Sequence, residues 1–243
     1  MTTPPIGEES GPRAFVDLHC HTNGSFDSLA DPGSVVRAAA KRGITHLAIT
    51  DHEKIDSALR ARDQAPDGLT VIVGEECKTA DGDLICLFLE QAVPPGRPAL
   101  ETIAAVRAQG GLVGIPHPFD RFRGSMAKLI GEDRLLELAE QVDYIETYNA
   151  RVIGGGNDKA NEIAHLHKLR GIAASDAHFV MEVGVAYTLL FGHPDTPDGL
   201  LAALPSAHPV FGRASYLMRA LMPVNKLVQR MRGNGRITGP AAA

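Results

Sequence analysis

The chain has 243 residues, 44% of them hydrophobic, and a formal net charge of -5; this suits one large α/β-sized domain and gives no general case for nucleic-acid binding. Its 25 glycines and 16 prolines imply many loops, and with no tryptophan and 5% aromatics the core must be aliphatic residues and alanine. Cys20, Cys77 and Cys86 form neither a paired framework nor a C-x-x-C unit, which argues against a thiolate zinc site and for a reducing compartment, the cytoplasm by default.

Met1 to Arg13 is polar and lacks the apolar core of a signal peptide, so it is expected to be a disordered lead-in, and no run of ~18 apolar residues offers a membrane span. Val16-Asp17-Leu18-His19-Cys20-His21-Thr22 then reads as a strand on which Asp17, His19 and His21 share one face and Cys20 turns away. Asp31-Pro32-Gly33 starts a helix over Ser34 to Arg42 that closes at Gly43. A strand from Ile44 to Ile49 runs into Thr50-Asp51-His52, and one from Leu69 to Val73 runs into Gly74-Glu75-Glu76. Leu84 to Leu89 is another apolar run, and a helix from Ala99 to Gln109 stops at Gly110-Gly111. Leu112 to Ile115 leads into Pro116-His117-Pro118. A helix over Asp133 to Gln141 precedes a strand, Val142 to Ile145, that reaches Glu146 and Asn149. After a helix over Asp158 to Arg170, the short strand Gly171 to Ala174 is followed by Ser175-Asp176-Ala177-His178.

Alternating strands and helices imply a parallel sheet with covering helices. In parallel barrels the active site is assembled from loops at the carboxyl ends of the strands, so metal-capable residues scattered in sequence there converge in space. By the same test His46, inside a strand, and His165 and His167, inside a helix, are bystanders. His193 is retained only as a weak outer candidate, and His208 is set aside.

The run Asp17-Leu18-His19-Cys20-His21-Thr22 with Ser25 and Asp27, then Thr50-Asp51-His52, Gly74-Glu75-Glu76, Pro116-His117-Pro118, and Ser175-Asp176-Ala177-His178 with Gly184, resembles the successive motifs of the polymerase and histidinol phosphatase, or PHP, superfamily of metal-dependent phosphoesterases. The resemblance implies a distorted (β/α)7 barrel related to the TIM barrel, spanning residues 14–205, with two or three metal ions in its mouth. Carried over by position, the ligands are His19, His21, Asp27, His52, Glu76, His117, Asp176 and His178. Glu76 rather than Glu75 fits the Gly-x-Glu pattern, and alternation lets only one of the two face inward. Many members have a further histidine where this chain reads Tyr144-Ile145-Glu146-Thr147-Tyr148-Asn149; either Glu146 or Asn149 takes its place, or one ion is lost.

Imidazole with carboxylate suits zinc, manganese or iron better than calcium or magnesium. Two such ions about 3.5 to 4 Å apart can acidify a shared water, so the nucleophile is a metal-bound hydroxide and no serine or cysteine is needed. Asp51 and Asp17 are candidates to orient ligating imidazoles. Arg151, Arg123 and Arg121, in that order, are candidates for bidentate phosphate contacts. Gly154-Gly155-Gly156 lacks the Lys-Ser/Thr of a P-loop and reads as a hinge.

From Gly199 onward there is no acidic residue, while Arg213, Arg219, Lys226, Arg230, Arg232 and Arg236 are basic. Leu217, Leu221, Val224, Leu227, Val228 and Met231 recur at near-helical spacing around Pro223, so residues 206–243 read as a basic amphipathic extension whose apolar stripe packs on the barrel or on a second subunit, with a membrane surface or a nucleic-acid backbone as the alternative contacts. Gly233 to Ala243 is expected to be disordered. The function expected is hydrolysis of a phosphate ester in a small metabolite, a nucleotide or a nucleic-acid end. A metal-dependent amidohydrolase and a non-catalytic, metal-stabilised binding module are the alternatives.

Overall fold

The computed structural model describes residues 11–239 apart from Gly124. In chain order these form β1 (Arg13–Asp17), α1 (Pro32–Lys41), β2 (His46–Ile49), α2 (Asp56–Asp63), β3 (Thr70–Lys78), β4 (Asp83–Leu87), α3 (Ala99–Arg107) and β5 (Leu112–Ile115). There follow α4 (Met126–Ile130), α5 (Glu132–Ala139), β6 (Tyr144–Asn149), α6 (Gly156–His167), β7 (Gly171–Ala174), β8 (Tyr187–Phe191), α7 (Pro197–Ala203), β9 (His208–Val210), α8 (Tyr216–Ala220) and α9 (Met222–Met231). No helix among the described residues is long and apolar enough to cross a membrane.

Local chemistry sets several boundaries. Asp31 caps α1 by accepting from the Ser34 amide at 2.9 Å, with Pro32 in the first turn where its missing N–H costs nothing. Gly43 leaves that helix at φ +78°, a left-handed conformation glycine adopts without a Cβ clash. Gly114 is required for space: a Cβ there would lie 2.2 Å from the ring of Tyr144, which fills the barrel interior.

The strands form one sheet in the order β7-β6-β5-β4-β3-β2-β1-β8-β9. The pairs β1–β2, β2–β3, β5–β6 and β6–β7 are parallel, whereas β4 is antiparallel to both β3 and β5, so the ring is not uniformly parallel. β1 closes it in two ways. Its first residues pair antiparallel with β8, from Arg13↔Phe191 to Val16↔Thr188. Beyond Asp17 the chain passes to the extension of β7: the Asp176 amide donates to the His19 carbonyl and the His21 amide to the Ala177 carbonyl, both at 2.8 Å. The distorted α/β barrel is thus seven strands, β1 to β7, with β8 and β9 wedged into the seam at the end away from His19. β9 lies inside the expected C-terminal extension, yet it pairs with β8 as part of the sheet.

Thr188 holds the seam from the β8 side. Its hydroxyl accepts from the Ala173 amide at 2.9 Å and donates to the Ala173 carbonyl at 3.0 Å, and the residue is buried. Thr188→Val preserves the volume but strands both buried backbone groups, so it is expected to lower unfolding stability by about 1–3 kcal/mol in a urea titration. A loss within error would mean that the seam is held elsewhere.

Two apolar layers follow from strand alternation. Val16, Leu18, Ala48, Ile72, Ile85, Leu87, Leu112, Tyr144 and Ile172 fill the barrel, joined by Leu200, Ala203 and Leu204 from α7 and the turn after it. Leu47, Ile49, Val71, Val73, Val113, Ile115 and Ile145 face outward against α1, α2, α3 and α5. Leu18 belongs to the inner layer and Cys20 to the outer, so β1 changes phase where its regular pairing ends. The unbroken alternation expected from Asp17 to His21 therefore does not hold, and the phase change is what turns His19 and His21 toward the barrel mouth.

The lead-in expected over Met1 to Arg13 lies outside the described residues as far as residue 10, and Arg13 already belongs to β1. Of the end expected to be disordered, 240–243 lies outside them, while Asn234 donates to the carbonyls of Asn23 at 3.2 Å and Gly24 at 3.1 Å.

Candidate metal centre

The eight carried-over residues sit at the mouth of the barrel, supplied by several separate stretches of chain. His19 and His21 follow β1, Asp27 is on the loop to α1, and His52 follows β2. Glu76 lies within β3, which runs five residues past the expected end at Val73; Glu75 points the other way and accepts from the Val93 amide at 2.8 Å. His117 follows β5, and Asp176 and His178 follow β7. His117 (φ +29°) and Asp176 (φ +51°) both occupy the left-handed region. Such strain in residues with a Cβ collects where function over-determines the backbone.

Glu76 is the hub. Its Oε2 lies 3.3 Å from Nε2 of both His19 and His21 and 3.4 Å from Nδ1 of His52, and its Oε1 lies 3.2 Å from Nε2 of His117. Asp176 Oδ1 is 3.6 Å from His19 Nε2 and 3.5 Å from His21 Nε2. Asp27 faces His178 at 3.5 Å and His52 at 3.6 Å. His21, His52 and His178; His19, His21 and Glu76; and His19, His117 and Asp176 each bring ligand atoms within 4.8 Å of one another.

The tautomers follow from the outer hydrogen bonds. His19 Nδ1–H donates to Glu146 Oε1 at 2.7 Å. His21 Nδ1–H donates to Ser25 Oγ at 3.0 Å, whose own proton goes to Asp51 Oδ1 at 2.8 Å. His178 Nδ1–H donates to the Asp176 carbonyl at 2.9 Å. Three Nε2 atoms are thereby aimed inward, and those of His19 and His21 stand 3.0 Å apart; burial would lower the pKa of both rings, but the facing carboxylates of Asp176 and Glu76, with Glu146 at His19, raise it. Asp27 Oδ1, Asp176 Oδ1 and His52 Nδ1 are buried without a hydrogen bond. Inward ring nitrogens and orphaned oxygens converging in a buried site fit a cation centre.

The electrostatics agree. Burial works against the charged form of every group here, but the histidines hold the carboxyls of Asp27 and Glu76 well below the ordinary range, and Arg123, then the histidines, do the same for Asp176. Burial would push His52 down, yet facing Glu76 and Asp27 it is raised to about 9; His178, buried beside His21, falls to about 4.

Glu146 and Asn149 stand behind the cluster. Glu146 Oε1 takes the His19 proton, and Oε2 accepts from the His117 amide and Asn149 Nδ2, both at 2.8 Å. With both oxygens occupied, Glu146 is placed to orient His19. Asn149 Nδ2 also donates to Asp176 at 3.0 Å. Neither Asp17 nor Asp51 touches an imidazole: Asp17 accepts from the amides of Ser175 at 3.0 Å and Gly184 at 3.1 Å, and Asp51 reaches His21 only through Ser25. The orienting part expected of them falls instead to Glu146 and Ser25, because the phase change after Leu18 leaves Asp17 on the other face.

A cavity of about 610 Å³ opens over His52, Glu76, His117 and His178. Arg123 and Arg151 line it; Arg123 bonds Asp176 and, at 2.8 Å, Asp120, while Arg151 bonds Glu182 at 2.8 Å. Arg121 does not: it lies at a separate hollow with Lys128 and Lys159. His193, exposed, lies with His46 and Asp195 near the start of β1, at the other end of the barrel. Cys20, Cys77 and Cys86 are free and buried, and burial pushes all three thiols up, which leaves them unreactive.

The C-terminal segment reverses its expected orientation. Its polar side faces the protein: Gln229 Nε2 lies 2.9, 2.8 and 2.6 Å from the carbonyls of Asn23, Ser25 and Ser28, and Asn225 Nδ2 donates to the Asp27 carbonyl at 3.2 Å. Leu217, Val224, Leu227 and Met231 are exposed. The loop that carries Asp27 presents carbonyls with no strand partner, and donors satisfy them where an apolar stripe would not. Arg219, Lys226 and Arg236 from this segment also line the cavity, cations absent from the candidate arginines above.

A barrel with this buried imidazole and carboxylate centre at its mouth defines the class as metal-site α/β barrels. The PHP domain model matches residues 17–171, more than half of the chain, and a PHP-associated model matches 154–208, so this chain belongs to the PHP domain family. Two uncharacterized proteins of Methanocaldococcus jannaschii are similar to it: one is 35% identical over 145 residues, 55% of this chain and 81% of the relative, and the other is 37% identical over 175 residues, 71% and 68%. A two-domain protein of Bacteroides vulgatus containing a predicted PHP-like metal-dependent phosphoesterase shares the fold, with TM-score 0.67, 19% identity, and coverage of 87% of this chain and 70% of that one.

Proposed function

We propose that residues 14–205 form a metal-dependent phosphoesterase that hydrolyses a phosphate ester, with residues 214–236 packed on its mouth, working in the cytoplasm. The observation that carries this reading is the convergence of three inward Nε2 atoms and the carboxylates of Asp27, Glu76 and Asp176 beneath a cavity lined by arginines. His19, His21, Asp27, His52, Glu76, His117, Asp176 and His178 would hold two or three ions of zinc, manganese or iron. Bound there, the ions would supply Lewis-acid polarisation of a phosphoryl oxygen and an acidified water.

The chain's own residues do the rest. Glu146, Ser25 and the Asp176 carbonyl keep the outer protons of His19, His21 and His178 in place. Arg123 and Arg151, braced by carboxylates, present guanidinium edges to the cavity, where a phosphate would be bound. The arginines lining the cavity support an ester of phosphate over an amide.

Protein purified without chelator is expected to carry transition metal by mass spectrometry and to turn over at least one compound in a panel of sugar phosphates, nucleotides and short oligonucleotides. Turnover of amides or lactones with indifference to phosphate would favour the amidohydrolase. No turnover of any ester with zinc, manganese or iron restored would leave the non-catalytic module.

A further inference from the structure

Arg219, Met222, Pro223 and Lys226 recur at i, i+3, i+4 and i+7 along α8 and α9, and all four line the cavity above the cluster. The segment that carries them crosses the mouth from edge to edge. At its start the Ala214 amide donates to the Ala150 carbonyl at 3.1 Å, just after β6. In the middle Asn225 and Gln229 hold the loop of Asp27. At its end Asn234 meets Lys54, and Arg236 lies 3.7 Å from Glu53 and 3.9 Å from Asp83.

Charge within the cavity is unevenly matched. Arg123 and Arg151 each have a close carboxylate partner, and Lys78 and Arg236 share Asp83 at 3.7 and 3.9 Å. Among the described residues Arg219 has no carboxylate or hydrogen-bond partner, and Lys226 meets only the face of Phe26, 5.5 Å from its centroid. Burial lowers the pKa of Arg219 and the neighbouring Arg151 and Arg123 lower it further, more than the charges of Asp120 and Asp176 raise it. Two cations without a carboxylate partner match a phosphomonoester dianion better than a diester with a single charge.

We propose that Arg219 and Lys226 bind the terminal phosphate of the substrate, and that residues 215–236 form a cationic lid restricting the site to small phosphomonoesters. This rests on the phosphoesterase reading above. A polymer running through the mouth would have to displace the lid, whereas a cavity of about 610 Å³ accommodates a small molecule.

The test uses the metal-loaded protein, titrated with inorganic phosphate by calorimetry, and steady-state kinetics on a nucleoside monophosphate, a sugar phosphate and bis(p-nitrophenyl) phosphate. Arg219→Ala and Lys226→Ala are each expected to weaken phosphate binding about 10- to 100-fold and to raise KM for monoesters more than they lower kcat, with metal content unaltered. Arg219→Lys should recover part of the loss. Phosphate affinity unaltered in both alanine variants, or wild-type preference for the diester, overturns the proposal. If no ester is turned over but both variants lose phosphate affinity, the phosphoesterase reading fails and the anion site stands. If esters are turned over while the variants bind phosphate as the wild type does, the lid reading alone fails.

Discussion

Glu76→Gln is expected to abolish activity, lowering kcat for a phosphomonoester at least about a thousandfold, equivalent to about 4 kcal/mol of transition-state stabilisation, and to remove at least one metal equivalent per chain. The carboxylate touches four imidazoles, with Oε2 at 3.3 to 3.4 Å from His19, His21 and His52 and Oε1 at 3.2 Å from His117. The amide has nearly the same volume, so packing survives, but it withdraws a charge from the centre and replaces one acceptor oxygen with a donor. Metal analysis, kinetics and far-UV circular dichroism on the same preparation separate this from misfolding. Retention of full metal content and of kcat within a few-fold would show that the centre is not organised around Glu76.

Glu146→Gln, one step removed from the centre, is expected to weaken metal affinity about 10- to 100-fold. In one orientation the amide oxygen still accepts from His19 Nδ1, but its NH2 then faces two other donors, the His117 amide and Asn149 Nδ2. In the other orientation those donors are satisfied and the NH2 faces His19 Nδ1. The imidazole must then carry its proton on Nε2, which blocks its inward lone pair. Neither orientation preserves both contacts, so either stability falls by about 1–3 kcal/mol for the unsatisfied buried donors or the His19 donor atom is lost. Competition with a chelator of known affinity reads the first effect and thermal unfolding of the metal-free protein the second. Glu146→Asp, which keeps the charge on a shorter arm, should retain more affinity than Gln; the reverse order would point to volume at this position rather than proton placement.

The candidate ligands are legible because parallel strands deliver their carboxyl ends to one mouth, so His52, His117, Asp176 and His178 can be placed by counting to the end of each apolar run. Glu76 is harder, since β3 continues past the apolar stretch through Lys78, and only alternation separates it from Glu75. The helix α2 escapes notice because the buried positions on its inner face are Ser57, Ala58 and Ala61, too small and weakly apolar to mark a period. The direction of β4 is equally silent: an apolar run buried on both sides reads the same whether parallel or antiparallel.

The C-terminal segment misleads for a physical reason. An apolar stripe is ordinarily the buried face of a helix, yet here the inward side is polar, since what it covers is a loop of unpaired carbonyls and a charged cavity. The spacing of Arg219, Met222, Pro223 and Lys226 is visible in the chain, but nothing local marks it as the inward side.

By itself, then, the amino-acid order determines the alternating strands and helices, the barrel class, and the residues delivered to the ends of β1, β2, β5 and β7, because these follow from periodicity and from which atoms a chain turn can expose. Only the tertiary structure decides which carboxylate holds an imidazole proton, where β1 changes phase, and which cations overhang the site. Those outcomes depend on partners far apart in sequence, such as Glu146 for His19 and the loop of Asp27 for Gln229, and no local pattern encodes the meeting.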